Sequence, residues 1–319
     1  MGEIMKELVI HAGIHRTGST SIQNAMKQSR GILRSHGVLY PVLYGLPDHV
    51  KIPWWIINNK ISVDDLIGSI KEKDESFIEK IVLSAEDFSL MKDFSWLDKM
   101  KSEFDVKFVV YLKNQVDWLE SWYNQNIKWP WDKRFSSCKP SYFLDKIDDF
   151  YWLDYNVMLD EVSKRIGSDN VYAKPVGKSN GSIQDTANDF FPYLKVDTRW
   201  LNKLHNTNKS LSSAKIHILR NIDLMGFSAK ERTKLIKALD DIEIKEDNGE
   251  KHFFSKDQVE SIFEKFEESN NKLSERYFGG ENIFPFDDLG VEGRDVCNIS
   301  DTRIKNHYFP KIIKSLSGM

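Results

Sequence analysis

The chain has 319 residues, 40% of them hydrophobic and 29% charged, enough apolar content to fill one large core or two small ones. Its 45 Lys+Arg and 48 Asp+Glu leave a formal net charge of -3, so no global basic field argues for nucleic acid or an acidic membrane, and any polyanion site is local. Two cysteines, Cys138 and Cys297, do not make a disulfide framework or a zinc site, and no apolar leader or membrane-length run is evident, so a cytoplasmic protein without a transmembrane segment is expected.

Leu8 to Ile10 read as a buried strand that leads through a glycine-anchored turn into a helix carrying Ile22, Met26 and Leu33 at helical spacing. Gly13 and Gly18 have the spacing of the nucleoside-triphosphate loop G-x-x-x-x-G-K-[ST], but Ser19 stands where that motif has lysine, and the cation is at Arg16. Backbone N–H groups near Gly18 and the dipole of the following helix favour an anion there, with Thr17, Ser19, Thr20 and Ser21 adding hydroxyls. The plainer reading is a tight turn at Gly18 capped by those hydroxyls.

Short β-branched or apolar runs follow at Val38 to Pro41, Ile81 to Ser84, Lys107 to Leu112 and Asn170 to Pro175, separated by helical stretches that include Asp154 to Ile166, closed by Gly167. Strands alternating with helices predict an α/β fold with an open parallel sheet of about five strands flanked by helices. Beyond about Ile183 the pattern is helical, with Leu211 to Leu224, Lys230 to Leu239 and Lys256 to Tyr277 as segments and a charged surface loop over Asp240 to Lys251. The organisation expected is a single domain, with an α/β donor-binding core over 1–182 and a mainly helical part over 183–319.

Two further segments bear chemistry. Glu86 and Asp87 follow the third strand: Glu86 is the candidate general base, the plainer reading is that Glu86 or Asp87 caps the next turn, and Asp87 is also a candidate metal ligand in a phosphoryl-transfer enzyme. Lys113 closes the fourth strand at its carboxyl end, where α/β sheets bind ligands. Asp117 and Glu120 resemble a capping box, which starts the next helix at Asp117 and places Ser121 in its first turn, so Lys113 and Ser121 are candidates for a second phosphate. His15 lies close to the first loop, whereas His11 reads as a packed strand residue. The histidines and carboxylates show no tight metal-ligand spacing. Aromatic residues crowd Trp118 to Tyr155; part of this set is core, and Lys128 to Arg134 is harder to explain by packing.

Taken together, His11 to Gln23, Ser84 to Phe88 and Tyr111 to Tyr123 resemble the bacterial carbohydrate-type sulfotransferases, with weaker likeness at Leu153 to Tyr155, Gly167 to Pro175, Asn208 to Ser212 and Glu268 to Asn270. The resemblance implies a P-loop NTPase-like sulfotransferase fold and 3′-phosphoadenosine 5′-phosphosulfate (PAPS) as sulfate donor, with no metal required. It assigns the 5′-phosphosulfate to the first loop and the 3′-phosphate to Lys113 and Ser121, and it brings Asn208 and Ser210 to the donor. The acceptor it implies is a hydroxyl of a glycan or glycolipid, with Glu86 as base and Arg16 and His15 beside the transferring group. The family usually has lysine in the first loop and arginine before the serine; here Arg16 and Lys113 keep the charges and exchange their shapes. The competing readings are a nucleotide-dependent kinase on the same sheet and a non-catalytic nucleotide-binding protein.

Overall fold

A computed structural model describes residues 5–176, 183–201, 210–292, 294 and 296–317. They fall into two compact units: Met1–Asn114, Trp152–Thr207 and Glu267–Asp288 form the first, and Gln115–Tyr151, Asn208–Phe266 and Leu289–Met319 the second.

The first unit is built on five strands, β1 (Glu7–His11), β2 (Val38–Leu39), β3 (Lys80–Ser84), β4 (Asp105–Lys113) and β5 (Val171–Val176), in the order β2-β3-β1-β4-β5. Every pairing is parallel, with His11 opposite Ser84 on one side and Val109 on the other. The expected all-parallel, helix-flanked sheet is therefore what the chain forms. Parallel strands covered on both faces read as continuous apolar runs, which is why Leu8 to Ile10 and Ile81 to Leu83 show no polar alternation and are wholly buried.

On one face Val9, Val82, Val109 and Tyr111 pack with Ile22 and Met26 of helix α1 (Ser19–Gln28) and with Phe190 and Phe191 of helix Ile183–Tyr193. Helix Ile183–Tyr193 is fastened by Asp189, whose carboxylate accepts from the Tyr111 hydroxyl at 2.9 Å and from that of Tyr172 at 3.1 Å. Strands to either side of β1 run the same way, so the loops after β1, β3 and β4 all leave from one edge, the ligand-binding edge of such sheets.

The second unit is helical. Its first helix, Gln115–Lys128, starts two residues before the expected Asp117, and Glu120 does not close a capping box. Glu120 is instead buried: Oε1 accepts from Arg294 Nη1 at 2.9 Å and from the Phe253 N–H at 2.9 Å. A carboxylate at such depth is tolerated only when paired and hydrogen-bonded, and that pairing overrides local capping. Trp118 and Tyr123 are fully buried in this unit, with Trp118 stacked on Trp122 at 5.2 Å, so much of the aromatic run is core.

Candidate active site

The loop after β1 continues the sheet before it turns. Ala12 N–H donates to Val109 O at 2.9 Å, Ile14 N–H to Tyr111 O at 3.1 Å, and Tyr111 N–H to Gly13 O at 2.6 Å. Gly13 has φ 87 and Gly18 φ 97, both in the left-handed region that glycine enters without steric cost. Gly13 is required for space as well: a Cβ there would stand 3.1 Å from both Cα and Cβ of Glu86. The first loop and the turn after β3 are thus in backbone contact. Between the glycines Arg16 also has a positive φ, 70, a conformation that costs a non-glycine residue about 1 kcal/mol and clusters at functional sites.

The loop hydroxyls turn inward. Thr17 Oγ1 donates to Ile14 O at 2.7 Å and Ser19 Oγ donates to the same carbonyl at 3.3 Å. Gly18 caps α1 through its backbone, with no side-chain cap, and Ser21 N–H returns to Gly18 O at 2.9 Å. The hydroxyl-cap reading of this turn therefore does not hold. The first-turn amides at Ser19 and Thr20 have no helical acceptor and carry the positive end of the helix dipole. Thr20 is exposed and Ser21 partly so.

Glu86 opens a short 3₁₀ turn, Glu86–Leu90, whose N-cap is Ala85 with no side-chain cap. Neither Glu86 nor Asp87 serves as the cap. Burial pushes the Glu86 carboxyl above the usual range, against the opposing pull of the His15 charge, and the neighbouring Asp87 raises it further. Asp87 is almost wholly buried and uses both oxygens: Oδ1 pairs with His15 Nε2 at 2.8 Å, and Oδ2 accepts from Trp54 Nε1 at 2.9 Å. Each of its oxygens is thus engaged by an N–H group, one of them on the His15 ring. No group of three or more His, Cys, Asp or Glu is placed to hold a metal among the described residues.

His15 titrates above the usual imidazole value. Burial opposes its protonation, as does Arg16, but the bond to Asp87 and the charges of Glu86 and Asp87 outweigh them. Arg16 is pulled below its usual value by burial, with Glu86 opposing the shift.

Beneath lies a layer of the opposite character. His11 Nδ1 meets Ser84 Oγ at 2.7 Å, and burial drives this ring down to about 3. His49 accepts from Ser84 N–H at Nδ1 (3.1 Å), so Nε2 is the nitrogen that donates to Pro41 O at 2.9 Å; burial brings it to about 4. Both are neutral scaffold, as the strand position of His11 suggested.

The first unit thus brings together Arg16, His15, Glu86 and the first-turn backbone amides of α1. Lys113 ends β4 with its carbonyl accepting from the buried Tyr155 hydroxyl at 2.7 Å. Ser121 lies on helix Gln115–Lys128 and Ser210 in coil, both within the second unit. Ser212 is the N-cap of helix Ser213–Leu219 and donates to Asp247 at 2.8 Å. Asn208 lies outside the described residues. Trp54 escaped sequence reasoning, because nothing local to helix Ile52–Ile57 signals a bond to a carboxylate 33 residues away.

No protein-family profile matches the chain. Over 188 residues it is 27% identical to an uncharacterized protein of Archaeoglobus fulgidus, a match covering 58% of this chain and 50% of that one, so the chain spans about half the length of this curated relative. Among solved structures it is similar to a sulfotransferase from Alicyclobacillus acidocaldarius at 11% identity and TM-score 0.48, over 84% of this chain and 94% of the other.

Proposed function

We propose that the chain is a sulfotransferase that moves the sulfuryl group of PAPS to a hydroxyl of a glycan or glycolipid. The observation that carries this reading is the contact of Gly13 with Glu86: a raised-pKa carboxylate abuts a glycine-anchored anion loop whose charged partners are Arg16 and His15. The residues fit a phosphosulfate. Backbone amides of the first turn of α1 receive its oxygens, and the inward-turned Thr17 and Ser19 hydroxyls hold the loop in shape for them.

In the step proposed, the acceptor oxygen forms a bond to sulfur while the bond from sulfur to the bridging phosphate oxygen breaks in line. Glu86 takes the acceptor proton, a role suited to a carboxylate whose burial has moved its pKa toward neutrality. Arg16 and the His15 imidazolium balance charge developing on the departing phosphate. Lys113 and Ser121 are assigned the 3′-phosphate, with Thr20, Ser21, Asn208 and Ser210 as further donor contacts.

Calorimetry tests the donor class. Adenosine 3′,5′-bisphosphate without metal is expected to bind at least about tenfold more tightly than ADP with magnesium, a difference of about 1.4 kcal/mol. The reverse order would move the site to the kinase reading.

A further inference from the structure

Trp54 lies 45% exposed on helix Ile52–Ile57, yet its one polar atom is turned inward, donating to Asp87 Oδ2 at 2.9 Å. The surface it offers to solvent is therefore the apolar part of the indole. A side chain this exposed would ordinarily sample several rotamers. Here a charge-assisted hydrogen bond fixes it to a carboxylate that is only 3% exposed and is held from the other side by His15.

We propose that Trp54 is a platform for the apolar C–H face of a pyranose ring, which it holds beside Glu86. Asp87 immediately follows Glu86 in the chain, so the indole is one hydrogen bond away from the turn that carries the base. Lys51, Ile57 and Asn58, three residues before Trp54 and three and four after it, share its helix face and are exposed. An apolar plate with the Lys51 ammonium before it and the Asn58 amide after it, and Ile57 extending its apolar surface, matches a ring that has C–H bonds on its face and hydroxyls around its edge. An acyl chain would instead need a continuous apolar trough. Because the plate is already ordered, stacking on it loses little conformational entropy. This assignment rests on the sulfuryl-transfer reading only for the statement that a hydroxyl of the sugar reacts.

The same bond gives Trp54 a second role, as a positioning residue: its N–H orients the Asp87 carboxylate that holds His15. Two variants separate the roles. Trp54→Phe keeps an aromatic face and loses the N–H; Trp54→Ala loses both. The probes are cellobiose, lactose, N,N′-diacetylchitobiose and p-cresol, read by saturation-transfer difference NMR, with adenosine 3′,5′-bisphosphate titrated by calorimetry in parallel. At least one disaccharide is expected to show transfer to its ring C–H protons in the wild type, to keep most of it in Trp54→Phe, and to lose about fivefold in Trp54→Ala. The pH at which His15 titrates, followed by NMR, is expected to change in both variants.

Equal disaccharide signals in wild type and Trp54→Ala, no disaccharide signal in the wild type, or a signal from p-cresol alone would each overturn the platform. Trp54-dependent sugar signals in a protein that ignores the bisphosphate would uphold the platform and defeat the donor assignment instead.

Discussion

Glu86 and His15 carry opposite burdens in one small volume, and each yields an expectation. Glu86→Gln keeps the shape of the site and removes the base, so sulfuryl transfer is expected to fall by about 10² or more while bisphosphate affinity holds. Steady-state rates and calorimetry on one preparation check both halves. His15 has a folded-state pKa above the ordinary 6.5. The proton it gains on folding therefore adds stability that is fully present below about pH 6.5 and is lost as pH rises through the folded value. In Asp87→Asn the carboxylate charge is gone and only a neutral amide oxygen is left to accept from the ring, so burial, the largest influence on it, prevails over the remaining pull of Glu86. An NMR titration of the His15 ring is expected to give a value below 6.5 in that variant. Gly13→Ala forces a side chain into φ 87 and into Glu86, with an expected loss of about 1–3 kcal/mol in a denaturant melt. Sequence spacing was enough to single out Arg16, His15 and Glu86. It was silent on the His15–Asp87–Trp54 chain, because its members are 72 and 33 residues apart and meet only when β1 and β3 pair.

Among the elements, the strands were the most legible part, since a parallel strand buried on both faces has an unbroken apolar run. The strands observed differ from the runs read in sequence by a residue or two at their ends, β4 reaching from Asp105 to Lys113. Helix starts were less legible where burial competed with capping. Asp154 does cap helix Tyr155–Ile166: its Oδ1 accepts from Val157 N–H at 3.2 Å and has room to accept from Ser269 Oγ as well. Glu120 was misread for the opposite reason: a buried guanidinium takes it. Side chains of that pair are only 8% and 1% exposed. Replacing Arg294 by Met strands a buried carboxylate, at an expected cost of about 3–5 kcal/mol, whereas Glu120→Met with Arg294→Met is expected to recover much of the loss. Thermal or denaturant melts of the single and double variants give the comparison.

For the molecule as a whole, a net charge of -3 means that the polyanionic donor proposed above would have to be met by local groups rather than by a global field. Lys113→Ala is accordingly expected to weaken adenosine 3′,5′-bisphosphate much more than adenosine 5′-monophosphate, by about 1 kcal/mol or more. Equal losses in calorimetry would take Lys113 out of the 3′-phosphate role. Among the described residues no helix is long and apolar enough to cross a membrane. The two-unit division was not legible, since each unit is assembled from three separate stretches and no linker marks the exchanges.

Gly13 and Ile14 are bonded in both directions to Tyr111, so the loop after β1 is an outgrowth of the sheet. Its shape is set when the strands pair, before any ligand arrives. A receptor formed in this way has no closing step of its own to wait for. Bisphosphate capture followed by stopped flow is expected as one phase whose rate climbs in proportion to ligand concentration, and the amides of Ile14 and Tyr111 should exchange with solvent at the pace of the β-sheet core, whether the site is occupied or not.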